Sequence, residues 1–208
     1  MKKNLVYVFA LLLAFSLLTA CKTTGQFSGT ASLSIMIVDE KGQALKDFNL
    51  VLSNFNRSEK GITNSNGLCV FNNIPSGQYE LSGSKTGYSR LMNARINFID
   101  KCEIFCFGVQ SGDSIFSEVE KYYEEKEYKE GLALLDELIC QKKSFLYGAV
   151  CYFKAYAYIC LNNNKAVQSE IKKMKALDQS YMGQYKKSLE EMLKEIEVEE
   201  GENKNEVL

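Results

Sequence analysis

The side chains that could do chemistry in this chain are cysteines and carboxylates, because the sequence contains seven cysteines and no histidine. A Ser-His-acid triad, a Cys-His pair and histidine-ligated zinc are therefore excluded. Asp39, Glu40, Asp100 and Glu103 are the candidates for a hydrolytic carboxylate pair. Each of them stands at or near a turn or strand end, where a solvated charge is expected. We predict no catalytic residues, no metal site and no cofactor, with an enzyme of unfamiliar type as the alternative.

The spacing of the cysteines argues against the nearest disulfides. Cys102 and Cys106 belong to one β-like run, where four residues separate their α-carbons by about 13 Å, too far for a disulfide or a shared metal ion. Cys151 and Cys160 point to opposite sides of a predicted helix and lie about 13 Å apart along its axis. A longer bridge from Cys69 to one of the strand pair stays open. Most thiols are expected to be free and buried as small apolar groups.

The elements that position these residues begin with a targeting segment. Lys2 and Lys3 precede an apolar run over residues 5–18, which is followed by the small residues Thr19 and Ala20. A positive start, a short apolar core and a small residue before the cleavage point are typical of a secretory signal peptide. The run is shorter than the about 20 residues that span a bilayer. We therefore predict a signal peptide over residues 1–20.

The tetrapeptide Leu18-Thr19-Ala20-Cys21 resembles the lipobox of bacterial lipoproteins. The resemblance implies cleavage between Ala20 and Cys21, diacylglycerol on the Cys21 sulfur and an acyl chain such as palmitate on its amino group. Because two or three acyl chains hold a protein stably on a bilayer, we expect a lipid-anchored protein of the cell membrane. Lys22 favours the outer membrane where the cell has two. A plain cleaved signal with a chance cysteine and an uncleaved anchor are the alternatives.

The composition of the chain changes once after a short tether. Residues 21–30 are rich in Gly, Ser and Thr and are predicted to form a lipidated flexible tether. Residues 22–111 carry 9 basic and 7 acidic side chains, whereas residues 112–208 carry 14 and 19. The shift predicts a β domain over 31–111, a helical domain over 112–200 and a disordered acidic tail over 201–208. The fold class is α+β, and the excess of acid argues against a nucleic-acid partner.

About seven short apolar runs separated by turns predict an antiparallel β-sandwich in the first domain. Asn66 and Gly67 stand between two apolar runs and predict a hairpin there. The spaced turn glycines and the Gly-Gln-Tyr-Glu-Leu segment over residues 77–81 resemble the carboxypeptidase regulatory-like family, whose fold is similar to the prealbumin sandwich. The resemblance implies an accessory or adhesive module without catalytic residues. Fibronectin-like and PEGA-type sandwiches are the alternatives.

Helical periodicity in the second half predicts helices over 115–126, 129–139, 145–161, 165–177 and about 181–198. Gly131 and Ala166 open the second helix of each pair and lie 35 positions apart. This spacing and the segment around Tyr128 resemble tetratricopeptide repeats, whose period is about 34 residues. The resemblance implies stacked helical hairpins, with a generic five-helix bundle as the alternative.

One face of the third predicted helix is the candidate binding site. Tyr147 and Tyr158 share a helix face with Lys154, the one charged residue between positions 145 and 161. With Tyr123 from the first helix, these residues are predicted to line a groove for a peptide or partner segment. The competing interpretation is an aromatic stripe of the core. An exposed tyrosine cluster would support peptide capture, and burial would remove that support.

These observations predict a membrane-anchored cell-envelope lipoprotein that acts as a non-catalytic protein-binding or scaffolding component. Its expected partners are the membrane, through the lipid, and other envelope proteins or peptides. The alternative is an accessory lipoprotein that binds carbohydrate or peptidoglycan through the β-sandwich.

Intact-mass analysis of the native protein tests the lipobox. We expect a chain that begins at Cys21 and carries the added mass of diacylglycerol and an acyl chain, because cleavage follows lipid attachment. A soluble polypeptide without lipid would contradict the assignment.

Overall fold

The computed structural model describes residues 26–142 and 144–175, together with positions 187, 188, 191 and 194. The predicted signal peptide, Cys21, the acidic tail and nearly all of the fifth predicted helix lie outside the described residues. The described part has seven strands followed by four helices, so the chain is α+β with an N-terminal β-sandwich. Within these described residues, no helix is both long and apolar enough to cross a bilayer.

The seven strands form two facing sheets. They are β1 (Thr30–Val38), β2 (Asn49–Asn54), β3 (Arg57–Ile62), β4 (Leu68–Pro75), β5 (Gly77–Ser84), β6 (Leu91–Phe98) and β7 (Ile104–Gly108). One sheet has the order β4-β1-β7 and the other the order β3-β2-β5-β6. Because side chains alternate along a strand, Leu33, Ile35 and Ile37 of β1 all point into the core between the sheets.

The folded part begins earlier than predicted. Thr30 already pairs with Pro75 in β1, although the flexible tether was predicted to extend to residue 30. Phe27 is also held, because its ring lies 5.1 Å from that of Phe98 in an edge-to-face contact and its carbonyl accepts a hydrogen bond from Ser76 Oγ at 2.9 Å. The aromatic contact adds to area burial and shortens the tether.

The middle of the sandwich differs from the sequence pattern in two ways. Strand β3 is not an apolar run, because an edge strand can be built from alternating charged residues and needs little apolar content. The Asn66-Gly67 turn is present, with Asn64 Oδ1 accepting from the Asn66 and Leu68 amides, but it does not close a hairpin. It carries the chain from β3 in one sheet to β4 in the other.

The sandwich is not wholly antiparallel, since β7 pairs with β1 in the parallel direction. The chain leaves β6 at the end of the sandwich where β1 begins and crosses to the other sheet through residues 99–103. It therefore enters β7 from the same end as β1. The crossing also places Cys102 in a turn, so that Cys106 alone of that pair lies in a strand.

Four of the five predicted helices are confirmed. They are α1 (Gly112–Glu124), α2 (Tyr128–Glu137), α3 (Phe145–Cys160) and α4 (Asn164–Lys175). Ser111 and Ser144 cap α1 and α3, each accepting a backbone N–H three residues ahead at 3.3 and 3.1 Å. Helix α3 packs on both sides, against α1 and α2 through one apolar cluster and against α4 through another.

The helices are joined to the sandwich by main-chain hydrogen bonds around the loop between β5 and β6. On one side of this loop, Gly87 O accepts from Gly112 N and Ser89 N donates to Gln110 O, both at 2.8 Å. On the other side, Gly87 N donates to Ile139 O at 2.7 Å and Arg90 N donates to Glu137 O at 2.9 Å. The loop over 87–90 is thus held between the start of α1 and the end of α2.

Glu40 adds a side-chain contact to this junction. Its carboxylate accepts from the Ser111 hydroxyl at 2.7 Å and from the Ser111 amide at 3.0 Å. The hydrogen bond from the Ser111 hydroxyl is the main reason why the pKa of Glu40 is lower than usual. The predicted boundary between residues 111 and 112 is therefore a place where the two parts of the chain are in fixed contact.

Thr63 is expected to be the most sensitive polar residue of the sandwich. Its buried hydroxyl accepts from Phe48 N at 2.9 Å and donates to Leu45 O at 2.5 Å. Thr63→Val should lower the free energy of unfolding by about 1–3 kcal/mol, because it leaves a buried amide and carbonyl without partners. Denaturant unfolding measures the change. Thr63→Ser keeps the hydroxyl and should lose less; equal losses in the two variants would contradict the hydrogen-bond explanation.

Candidate partner-binding surface of the helical domain

Lys154 does not point into an open groove. Its ammonium forms an ion pair with Asp136 of α2, and its side chain is only 17% exposed, whereas that of Asp136 is 71% exposed. The single charge within α3 is therefore used to join two neighbouring helices. Removing the carboxylate would leave a largely covered ammonium without that partner.

Tyr147 and Tyr158 are half-buried and pack against the cluster between α3 and α4. Tyr147 lies beside Cys151 and the buried Glu170, whose Oε1 accepts from Lys173 Nζ at 2.5 Å. Burial, followed by the charge of Glu170, raises the pKa of the Cys151 thiol to about 12. Cys151 is therefore an unreactive thiol at neutral pH.

Tyr123 lies on the other side of α3, so the structure does not bring the four predicted residues together. Its ring lies 5.8 Å from that of Tyr156 and 6.2 Å from that of Phe153, and its hydroxyl donates to Phe153 O at 3.0 Å. Positions 153 and 156 are about 100° and 200° from Lys154 around the helix. Burial raises the pKa of Tyr123 well above its usual value.

The structure instead gathers a different set of aromatic side chains, which we call the aromatic stripe. The stripe runs across α1, α2 and α3, and all of its side chains are half-buried. Its members are Phe116, Tyr123, Tyr128, Tyr152, Phe153 and Tyr156. The rings of Phe116 and Phe153 stack at 5.1 Å, those of Tyr123 and Tyr128 lie 5.6 Å apart, and Tyr152 meets Phe153 edge-on at 5.8 Å. The contacts position the rings, while each keeps part of its surface in solvent.

Sequence reasoning missed Phe116, Tyr128, Tyr152, Phe153 and Tyr156 as site residues. The spacing of Tyr152 and Tyr156 by four residues places them on one side of α3, opposite Lys154, and this signal was available. No such signal indicated that Phe116 and Tyr128 belong to the stripe, because their place in it depends on how α1 and α2 pack against α3.

Acidic side chains border the aromatic stripe. Glu120 and Glu124 follow Phe116 at intervals of four residues on the same side of α1, and both are exposed. Glu127, also exposed, precedes α2 next to Tyr128. An aromatic surface with carboxylates at its edge is suited to a segment that is apolar and positively charged.

The carboxylates considered for catalysis do not converge. Asp39 and Glu40 follow the end of β1, while Asp100 and Glu103 precede β7, and the parallel pairing of these strands puts the two pairs at opposite ends of the sheet. Asp39 Oδ1 accepts the Lys41 and Gln43 amides, and Asp100 accepts the Cys102 amide, so both hold turns. In the described part of the chain, no cluster of three or more potential metal ligands occurs.

A polar cleft of about 650 Å³ lies where α1 meets the sandwich. Two of its lining carboxylates are already hydrogen-bonded: Glu40 accepts from Ser111, and Glu118 accepts from Gln110 Nε2 at 2.8 Å. These two carboxylates therefore help to hold the segment before α1 in place.

The six cysteines in the described part all carry free thiols. Cys69 and Cys151 are buried, and burial raises the pKa of both. Cys140 is half-buried, whereas Cys102, Cys106 and Cys160 are exposed. The expectation of burial is thus confirmed for only two of them.

No family model matches the chain, and no curated protein matches it either. Among solved structures, the Bacillus anthracis TIE protein is 24% identical, with a TM-score of 0.36 over 40% of this chain and 17% of that chain. The group B streptococcus pilus 2b backbone protein is 17% identical, with a TM-score of 0.35 over 39% and 41%. A DUF3823 family protein from Bacteroides ovatus is 16% identical, with a TM-score of 0.34 over 39% and 45%.

The matched part of this chain thus spans less than half the length of each of these three proteins. At such identities and TM-scores, the likeness concerns the fold of part of the chain and carries no argument about function.

Gly131 determines where Tyr123 can lie. A β-carbon at position 131 would lie 2.4 Å from Cε1 and 3.0 Å from Cδ1 of the Tyr123 ring. Gly131→Ala should therefore destabilise the chain, although alanine is favoured over glycine in a helix by about 1 kcal/mol. In the Tyr123→Ala background the same change should stabilise instead. Denaturant unfolding of the two single variants and the double variant measures this; equal effects in both backgrounds would contradict the contact.

Proposed function

We propose that this chain is a membrane-anchored cell-envelope lipoprotein whose helical domain binds a segment of another protein without catalysing a reaction. The resemblance of residues 18–21 to a lipobox supports the anchor. The lipid attached to Cys21 is the only non-protein group that we propose. Lys22 supports the outer membrane as the location in a cell with two membranes.

The observation that carries the binding role is the half-buried aromatic stripe across three helices. Aromatic side chains provide large contact areas at low cost in conformational entropy, and binding energy concentrates on them. Their positions are already held by ring contacts and by the Tyr123 hydrogen bond to Phe153. A partner would therefore meet a surface that needs little ordering on binding.

The arrangement of the helices supports the tetratricopeptide-like interpretation. Helices α1 to α4 pack in chain order, with α3 between α2 and α4, and α1 also contacts α3 through Phe116 and Phe153. Stacked helical hairpins of this kind leave one extended surface for a partner. For the sandwich, we propose a prealbumin-like accessory module that carries the helices and anchors them.

Binding of model peptides tests the proposal. The full acylated protein in detergent is titrated with two synthetic peptides of equal length, one rich in Lys and Leu and one rich in Glu and Leu. We expect binding of the first only, because the surface is aromatic with acidic edges. Tyr156→Ala should weaken this binding by roughly 2–13-fold, the factor that corresponds to about 0.5–1.5 kcal/mol per aromatic contact.

Tyr122→Ala is the matched control, because Tyr122 is a half-buried tyrosine of α1 that lines the polar cleft instead. Its peptide binding should equal that of the unmodified protein. Equal binding of both peptides, or equal losses in Tyr156→Ala and Tyr122→Ala, would refute the proposed surface. The anchor is tested separately: Cys21→Ser should prevent incorporation of labelled palmitate.

A further inference from the structure

The tether and a fully exposed aromatic side chain lie at the same end of the sandwich. Strands β2 and β5 are antiparallel, as are β5 and β6, so the end of β2, the start of β5 and the end of β6 meet there. We call this the anchor end; it comprises Phe27, residues 54–57, residues 75–77 and residues 98–103. Arg57 Nη1 donates to Asn73 O at 2.7 Å, which ties the β2-β3 hairpin to β4 at the same end.

Phe55 stands at the tip of that hairpin and is fully exposed, with a relative accessibility of 107%. Asn54 Oδ1 accepts the Asn56 amide at 3.0 Å and holds the tip in shape. Phe55 also lines a cleft of about 590 Å³, whose other lining residues on β2, β5 and β6 are mostly polar and include Glu80 and Arg95. A fixed turn that presents a phenylalanine entirely to solvent leaves the whole apolar area of the ring available for burial against another surface.

The position of the tether indicates what covers it. Cys21 is five residues before Gln26, the first described residue, so the two α-carbons are at most about 18 Å apart. Phe27 packs on Phe98, and Phe55 is two strand spacings away across the sheet, about 10 Å. A lipid on Cys21 would therefore keep the anchor end, and Phe55 with it, within reach of the bilayer surface.

The rest of the fold is consistent with this orientation. The helices attach to the loop over 87–90 and to Glu40, both at the opposite end of the sandwich, so they do not cover Phe55. The charges within the anchor end sum to zero, because Arg57 and Lys101 are matched by Asp100 and Glu103. Arg57 is also hydrogen-bonded to Glu59 through Nε at 2.7 Å. Contact with lipid would thus depend on the apolar ring and would not require anionic headgroups.

The geometry points to the anchor end as a membrane-docking surface, in which Phe55 inserts into the interfacial region of the bilayer and fixes the orientation of the sandwich. This inference rests on the proposed lipid anchor at Cys21. An aromatic side chain at the headgroup boundary adds an apolar contact to the acyl chains and limits rotation about the tether.

The absence of tryptophan from the sequence allows a single-site test. The chain from residue 22 onward, with a hexahistidine tag before Lys22, is bound to phosphatidylcholine vesicles that contain a nickel-chelating lipid. Phe55→Trp should show a blue shift of its emission and loss of intensity when brominated phosphatidylcholine is included. The matched control is Met92→Trp, an exposed apolar residue (61%) at the far end of the same sheet, which should show neither effect.

Quenching at position 55 alone, in neutral vesicles, supports the inference. Equal quenching at both positions, none at position 55, or quenching only in the presence of phosphatidylglycerol overturns it. The nickel lipid replaces the natural anchor, so this result is independent of acylation. Failure of the proposed anchor would appear instead as absence of palmitate from the native chain.

Discussion

The arrangement of the whole molecule depends on one short stretch of main chain, the loop over residues 87–90. Its amides and carbonyls are hydrogen-bonded to residues 110–112 on one side and to residues 137–139 on the other. Buried main-chain groups need partners, and here the partners belong to the segment that begins α1 and the segment that ends α2. The two domains are therefore joined by the same kind of interaction that builds a sheet, with Glu40 and Ser111 as an additional contact.

This junction determines what the two ends of the sandwich face. Because β5 runs from the anchor end to the loop over 87–90, the helices lie about 26 Å from the tether, the length of eight residues of strand. A chain held at Cys21 would thus place Phe55 next to the lipid and the aromatic stripe away from it. In the proposed arrangement, the sandwich separates the anchor from the partner-binding surface, so that neither surface needs to move for the other to act.

Much of the secondary structure could be predicted from local patterns. Alternating apolar residues identified most strands, and periodicity of 3.6 residues identified α1 to α4 to within about three residues at each end. Strand β3 was missed because an edge strand in a solvated position carries a charged sequence. The prediction of a hairpin at Asn66 and Gly67 was wrong because a turn motif specifies only a change of chain direction. It leaves open which sheet the next strand joins.

The sequence by itself determined the resemblance to a lipobox, the division into a β part and a helical part, and the lack of histidine chemistry, because these are properties of composition and local order. Only the tertiary structure decided that Tyr123 meets Tyr156 and not Lys154, that β7 runs parallel to β1, and that Phe55 shares an end of the sandwich with Phe27. Each of these depends on contacts between residues distant in the chain. Helical and strand periodicities predict on which face of its element a residue lies. The packing of helices and the pairing of strands determine which residues that face contacts.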